Sequence, residues 1–180
     1  MDDKYPKRKN HRLNYDYGSK GYYFVTVCIN EKMKLLSSVG SAALGAPCPV
    51  ELTELGKKVA ECWYRMEQLD ENVRIDKVVF MPNHIHGIIE LTNEDWRDLP
   101  EKQYDFEIAE RRGRRSLQGL LHDFKSVTTR IYKHEFGGCN SLWQESFYDT
   151  VLRSDERYEK AWQYIDDNPA KWTEDKLYIE

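Results

Sequence analysis

Residues 72–91, "NVRIDKVVFMPNHIHGIIEL", decide how this chain folds. Two runs rich in Val, Ile and Phe, 72–81 and 84–91, flank Pro82 and Asn83. Such side chains suit a pleated, half-buried surface, and a Pro-Asn pair turns the chain. The stretch therefore predicts two consecutive strands. Side chains alternate along a strand, so His84 and His86 point to one face. Their Cβ atoms would lie roughly 6.5–7 Å apart, from the strand rise. Two imidazoles at that spacing converge on one cation if another element supplies a third ligand. Imidazole suits Zn, Mn or Ni better than Mg. Taken alone, a two-residue motif has a simpler account, two partly exposed strand histidines.

The rest of the chain arranges itself around this pair of strands. "GYYFVTVCI" (21–29) reads as a buried strand. "SVGSAALGAPCPVEL" (38–52) is small and Pro/Gly-rich, and reads as a loop broken at Pro47 and Pro49. Residues 52–69 place Leu55, Val59, Cys62, Trp63 and Met66 at helical spacing behind Thr53, an N-cap residue. Residues 92–115 are polar and without period, which predicts a loop or flexible insertion. A helix is expected over 116–136, capped by Ser116, with Leu117, Leu120, Leu121, Phe124, Val127 and Ile131 on one stripe. Residues 142–154 read as a short strand with an approach loop. Residues 155–168 read as a last helix, stopped by Pro169. Strands and helices mixed in this order predict an α+β domain: an antiparallel sheet with helices packed on one face, leaving the other face for a site.

At 180 residues the chain is long enough for one domain with a sizeable core. That single domain would span 1–180, with a basic N-terminal arm over 1–20. The apolar runs are far too short to span a membrane, and the charged N-terminus is no secretory signal. Four scattered cysteines without CxxC spacing predict free thiols and a cytoplasmic location. The net charge of -4 hides an asymmetry. Residues 111–134 hold seven Lys/Arg against one Asp, and residues 1–20 hold six against three. A basic stripe on an otherwise acidic chain points to a local polyanion site. A short basic cluster such as "RRGRR" is also a common solvated helix entrance.

Several stretches together carry a resemblance. "VVFMPNHIHGIIEL" has the His-hydrophobic-His form of the HUH nucleases. With "GYYFVTVCI", "FKSVTTRIY" and "LWQESFYDTVLRSDERYEKAWQYIDDNPAKW", the chain resembles the REP-associated branch of the single-tyrosine transposases of bacterial insertion sequences. The likeness runs from about residue 12 to residue 176. It implies the ferredoxin-like, RRM-like HUH nuclease fold. It also implies a Mg²⁺ or Mn²⁺ ion as cofactor, no small-molecule cofactor, and single-stranded or hairpin DNA as partner. Insertion-sequence relatives are dimers, whereas the REP-associated branch looks monomeric.

The resemblance also implies roles for particular residues. The family pattern is a Tyr on the last helix followed by an amide at i+4, here Tyr164 and Asn168 in "YIDDN". On a helix these lie one turn apart on one face. Tyr164 would be the nucleophile, with Tyr158 in reserve, and His84, His86 and Asn168 would hold the metal. The related transposases often have Gln where this chain has Asn168. An ordinary phenol, with a pKa of about 10, is a weak nucleophile at neutral pH, so the reaction needs a cation to polarise the phosphate. Attack would give a 5′-phosphotyrosine and a free 3′-OH. No general base is evident: His122 and His134 read as helix-surface residues and His11 as part of the basic arm. Arg111, Arg112, Arg114, Arg115, Lys125, Arg130 and Lys133 would contact phosphates, giving affinity rather than sequence choice. Trp143 and Gln144 match the family. Glu145 stands where the related form commonly has Arg, which would weaken a phosphate contact there.

Two further functions remain open on sequence. One is a domesticated hairpin-binding protein that has lost its chemistry. The other is a metal phosphohydrolase using the histidines with a carboxylate such as Asp166 or Asp167.

Overall fold

The computed structural model describes residues 20–40, 48–92 and 116–179. Its elements are β1 (Gly21–Cys28), β2 (Ser37–Val39), β3 (Val50–Leu52), α1 (Glu54–Leu69), β4 (Val73–Phe80), β5 (His84–Leu91), α2 (Leu117–Glu135), β6 (Tyr148–Leu152) and α3 (Asp155–Asp167). Four strands form one sheet in the order β4-β5-β1-β6. Each neighbouring pair is antiparallel. The sheet and its two crossing helices make the predicted α+β fold, in the ferredoxin-like order.

The turn at Pro82 and Asn83 does what the sequence requires and lays β5 against β4. β1 then pairs along the other edge of β5, with Thr26 opposite His86 and Cys28 opposite His84. The two histidines therefore sit on an interior strand. Alternation sorts the residues by face. Tyr23, Val25 and Val27 of β1 and Ile85, Ile89 and Leu91 of β5 enter the main core. They meet Leu55, Val59, Trp63 and Met66 of α1 and Leu117, Leu120, Leu121 and Phe124 of α2. Gly87 interrupts the apolar face of β5 because Trp63 lies there: a Cβ at this position would stand 2.6 Å from Trp63 Cζ2. Thr53 and Ser116 cap α1 and α2 as expected, each accepting a backbone N–H in the first turn.

Several details depart from the sequence reading. The expected loop over 38–52 contributes a small hairpin, β2 with β3, pairing Ser37 with Leu52. Three-residue strands show no periodicity, and this one is held from outside, by Ser37 Oγ donating to Phe80 O at 2.7 Å. In α2, Val127 faces outward at 40 % exposure and Thr128 is fully buried instead. The Thr128 hydroxyl accepts from Trp143 Nε1 and donates to Phe124 O, both at 2.7 Å, so the polar side chain is satisfied. Trp143 is buried against Phe124, and β6 is the short strand expected within 142–154.

Helices α1 and α2 take one face of the sheet, as expected. The last helix, α3, crosses the opposite face. It is anchored by a β-bulge at Asp76 in β4, where the register slips between Ile75 and Lys77. The bulge turns two successive side chains toward α3. Asp76 Oδ2 accepts from Tyr158 OH at 2.7 Å. Lys77 Nζ donates to Asp166 Oδ1 at 2.7 Å and lies 3.5 Å over the Trp162 ring. No helix among the described residues is long and apolar enough to cross a membrane.

Candidate metal and nucleophile site

The site lies between the second face of the sheet and α3. His84 is fully buried and His86 is 3 % exposed. Their ring centroids are 4.4 Å apart. Each ring is held through Nδ1. Asn83 Oδ1 lies 2.8 Å from His84 Nδ1. The Asn83 amide donates its N–H groups to Leu177 O at 2.8 Å and Lys32 O at 3.4 Å. Since that nitrogen faces two carbonyls, the oxygen must face the histidine. An amide oxygen only accepts, so His84 Nδ1 carries the proton and Nε2 the lone pair. Thr26 Oγ1 lies 2.8 Å from His86 Nδ1. In each case Nε2 is the nitrogen left for a ligand.

His84 Nε2 is buried and finds no hydrogen-bond partner among the described residues. An unpaired buried acceptor is costly, and natural structures keep few of them without a use. Burial holds both imidazoles neutral. It pushes the His84 pKa down to about 3. His86 also falls well below the ordinary value, through burial first and then through His84 beside it. A neutral imidazole offering an Nε2 lone pair is the form that binds a metal.

Helix α3 brings Tyr164 to this pair. Its ring centroid is 5.1 Å from that of His86, and Tyr164 OH is 3.4 Å from His86 Nε2. Phe24 stacks on the other contact of His86 at 5.4 Å and meets Tyr164 edge-on at 5.9 Å. Tyr164 is 46 % exposed, so it is not a core aromatic; Ile165 takes the core side of α3. Burial first, and then the charge of Asp175, raises the Tyr164 phenol to about 12. Asn168, one turn on, is 3 % exposed. Its Nδ2 donates to Asp175 Oδ2 at 2.8 Å, while its Oδ1 is buried without a partner among the described residues.

Other sequence candidates fall elsewhere. Tyr158 packs edge-on against Tyr22 and is tied to Asp76, whose hydrogen bond raises its phenol to about 12. It lies about 9 Å along the helix axis from Tyr164, six residues at the helical rise. Asp166 is committed to Lys77, and Asp167 to Lys171 and Gln163. Lys125 donates to the carbonyls of Gln144 and Glu145, at 2.6 and 2.7 Å, pinning α2 to that segment. Arg130 and Lys133 are exposed on α2, across the sheet from the histidines, as are His122 and His134. Arg111, Arg112, Arg114, Arg115 and His11 lie outside the described residues, as do most of the basic arm and nearly all of the expected insertion.

Two site residues were not legible as such. Asn83 reads as a turn residue, but its side chain orients His84. Asp175 sits in a polar tail without period, yet His84, His86 and Asp175 place one ligand atom each within 4.8 Å of one another. Nothing in the local sequence distinguishes it from the acidic residues around it.

No protein-family model matches the chain. The chain is 28% identical over 187 residues to an uncharacterized protein of Haemophilus influenzae, each covered over its full length. Among solved structures it is similar to a REP-associated tyrosine transposase bound to a REP hairpin, with 22% identity and a TM-score of 0.52. That match covers 92% of this chain and 74% of the other. The antiparallel sheet with its helices is therefore the fold of that transposase.

Proposed function

We propose that this chain is a REP-associated tyrosine transposase: a metal-dependent endonuclease and strand transferase acting on single-stranded DNA beside a hairpin. The observation that carries the reading is the approach of Tyr164 OH to His86 Nε2, 3.4 Å, across two elements 78 residues apart. Nothing in the packing of a plain structural helix calls for a half-exposed phenol over a buried histidine pair. The REP hairpin in the transposase of the same fold supports the choice of DNA.

The donor set fits a divalent cation. His84 Nε2, His86 Nε2 and Asn168 Oδ1 would hold it, two of them buried atoms without a partner among the described residues. Mg²⁺ or Mn²⁺ bound there would polarise the scissile phosphate and stabilise charge on its oxygens. The chain's own residues do the rest. α3 presents Tyr164 Oη for attack on phosphorus, forming the P–Oη bond while the bond to O3′ breaks. The phenolic proton has an exit to water, because Tyr164 faces an open groove of about 280 Å³ also lined by Asn168, Lys171 and Lys176. The product is a 5′-phosphotyrosine and a 3′-OH, which can attack in reverse and rejoin strands.

Phosphate affinity would come from the arginines of 111–115 and from Arg130 and Lys133. Arg130 and Lys133 face away from the chemistry and suit a hairpin stem rather than the cleaved strand. Lys125, bound to two carbonyls, suits a structural role better than a phosphate contact.

The test is a cleavage assay with labelled hairpin oligonucleotides drawn from repeats flanking the gene, with Mn²⁺ or Mg²⁺. A metal-dependent covalent protein–DNA adduct is expected, absent in Tyr164→Phe and His84→Ala. Tight binding without an adduct under either metal would favour a domesticated hairpin-binding protein. Cleavage without an adduct would favour a phosphohydrolase.

A further inference from the structure

We propose that Asp175 is a further protein ligand of the cation, supplied by the segment after α3, so that a carboxylate joins the two imidazoles and the Asn168 amide oxygen. The inference rests on the metal-site reading above and adds a residue that neither the motif nor the fold assigns.

The first support is proximity. The ligand atoms of His84, His86 and Asp175 all lie within 4.8 Å of one another. Donors about 2.1 Å from one shared ion lie within about 4.2 Å of each other, so a small side-chain adjustment closes the set.

The second is how the tail is held. The chain leaves α3, makes a 3-10 turn over Trp172–Glu174 and reaches Asp175. Trp172 is buried, with its ring 5.8 Å from that of His84 and 5.2 Å from that of Tyr178. Asp175 Oδ1 accepts from Leu177 N at 2.6 Å, and Leu177 O accepts from Asn83 Nδ2 at 2.8 Å. Asp175 Oδ2 accepts from Asn168 Nδ2 at 2.8 Å. One continuous run of hydrogen bonds thus links His84, Asn83, Leu177, Asp175 and Asn168. Residues so fixed lose little freedom when a ligand binds, and outer partners of this kind tune metal affinity.

The third is charge. Two neutral imidazoles and one neutral amide would leave a divalent cation uncompensated in a buried site, which is expensive. Asp175 is the carboxylate that reaches the ligand nitrogens of the pair among the described residues. Its Oδ2 also accepts from Tyr164 OH at 3.3 Å, so the carboxylate that binds the ion stands beside the nucleophile.

The experiment reads metal binding, not cleavage. Mn²⁺ is titrated into the full-length chain and into Asp175→Asn and His84→Ala, with free ion followed by electron paramagnetic resonance. Asp175→Asn keeps an oxygen for Leu177 N–H but removes the charge. It is expected to weaken Mn²⁺ binding by about tenfold or more. A second variant guards against a merely structural effect. Asp175→Cys, made in a Cys28→Ala chain because Cys28 pairs with His84 across the strands, should bind Cd²⁺ with a thiolate charge-transfer band. That band should be absent from the Cys28→Ala parent. Unchanged Mn²⁺ affinity in Asp175→Asn, or no new band in Asp175→Cys, overturns the proposal. If His84→Ala still abolishes binding in that case, the histidine site stands without Asp175. No Mn²⁺ binding by the unaltered chain would overturn both.

Discussion

Asn83 holds His84 in one tautomer: its side-chain oxygen accepts the Nδ1–H hydrogen bond at 2.8 Å and leaves Nε2 buried, without a partner among the described residues. A residue of the turn after β4 thereby sets which nitrogen of His84 is left open on β5. Asn83→Ala should weaken Mn²⁺ affinity by about 10–100-fold, the usual effect of removing an orienting partner of a ligating histidine. Isothermal titration of Mn²⁺ checks this. Unchanged affinity would mean that packing alone, against Trp172, fixes the ring.

Acid should destabilise the fold through the same pair. Both imidazoles have depressed values when folded, His84 at about 3. The unfolded chain binds protons at about pH 6.5, where the folded chain does not. Their contribution is therefore complete above that value and is lost as pH falls below it. Between about pH 7 and about pH 5.5 the loss should be about 1 kcal/mol for each histidine. Urea unfolding at the two pH values measures it, and His84→Gln should lose about half of the dependence. Divalent cations should steepen the loss, since protons compete for the same nitrogens.

The two tyrosines of α3 should separate cleanly. Tyr164→Phe should abolish the covalent adduct with little change in stability, because its hydroxyl contacts are long, 3.3 and 3.4 Å, and the ring is half-exposed. Tyr158→Phe should keep the adduct but lose the 2.7 Å bond to Asp76 that docks α3, costing about 1 kcal/mol. Denaturing gels and thermal unfolding on both variants read the two effects. An adduct surviving in Tyr164→Phe but not in Tyr158→Phe would reverse the assignment.

Arg130 and Lys133 stand on the helix layer opposite the histidines. Replacing both with Ala should lower hairpin affinity several-fold and reduce its salt dependence by up to about two counterions. Cleavage at saturating DNA should not change. Fluorescence anisotropy over a salt series, with single-turnover cleavage beside it, tests this. A loss confined to the cleavage rate would contradict the layer assignment of these two side chains.

Gly87→Ala puts a methyl 2.6 Å from Cζ2 of Trp63, a residue of α1. Overpacking of this kind should cost roughly 1–3 kcal/mol. Because Gly87 follows His86 directly, any strain relieved by moving β5 should also reduce Mn²⁺ binding. Thermal unfolding and metal titration on the same variant show whether the two losses come together.

The long elements were legible from residue order alone: β1, the β4–β5 pair, α1, α2 and α3, with the caps Thr53, Ser116 and the turn at Asn83. These follow from local chemistry, namely β-branched runs, helical spacing and side chains that satisfy the first helical N–H groups. It also put His84 and His86 on one face, because strand alternation is local. What period and spacing cannot express came from contacts between separate segments. The hairpin of β2 and β3 is too short to show a pattern. The bulge at Asp76 follows from how β4 pairs with β5. Thr128 replaces Val127 in the core because Trp143, 15 residues on and beyond the end of α2, supplies its hydrogen bond. The placement of α3 over the histidine face, and the arrival of Asp175 beside His84, depend on contacts across 91 residues or so of chain. A lone Asp in a polar tail has no local feature that sets it apart. Only the closing of the tail over β5, through Trp172 and Leu177, makes it part of the site.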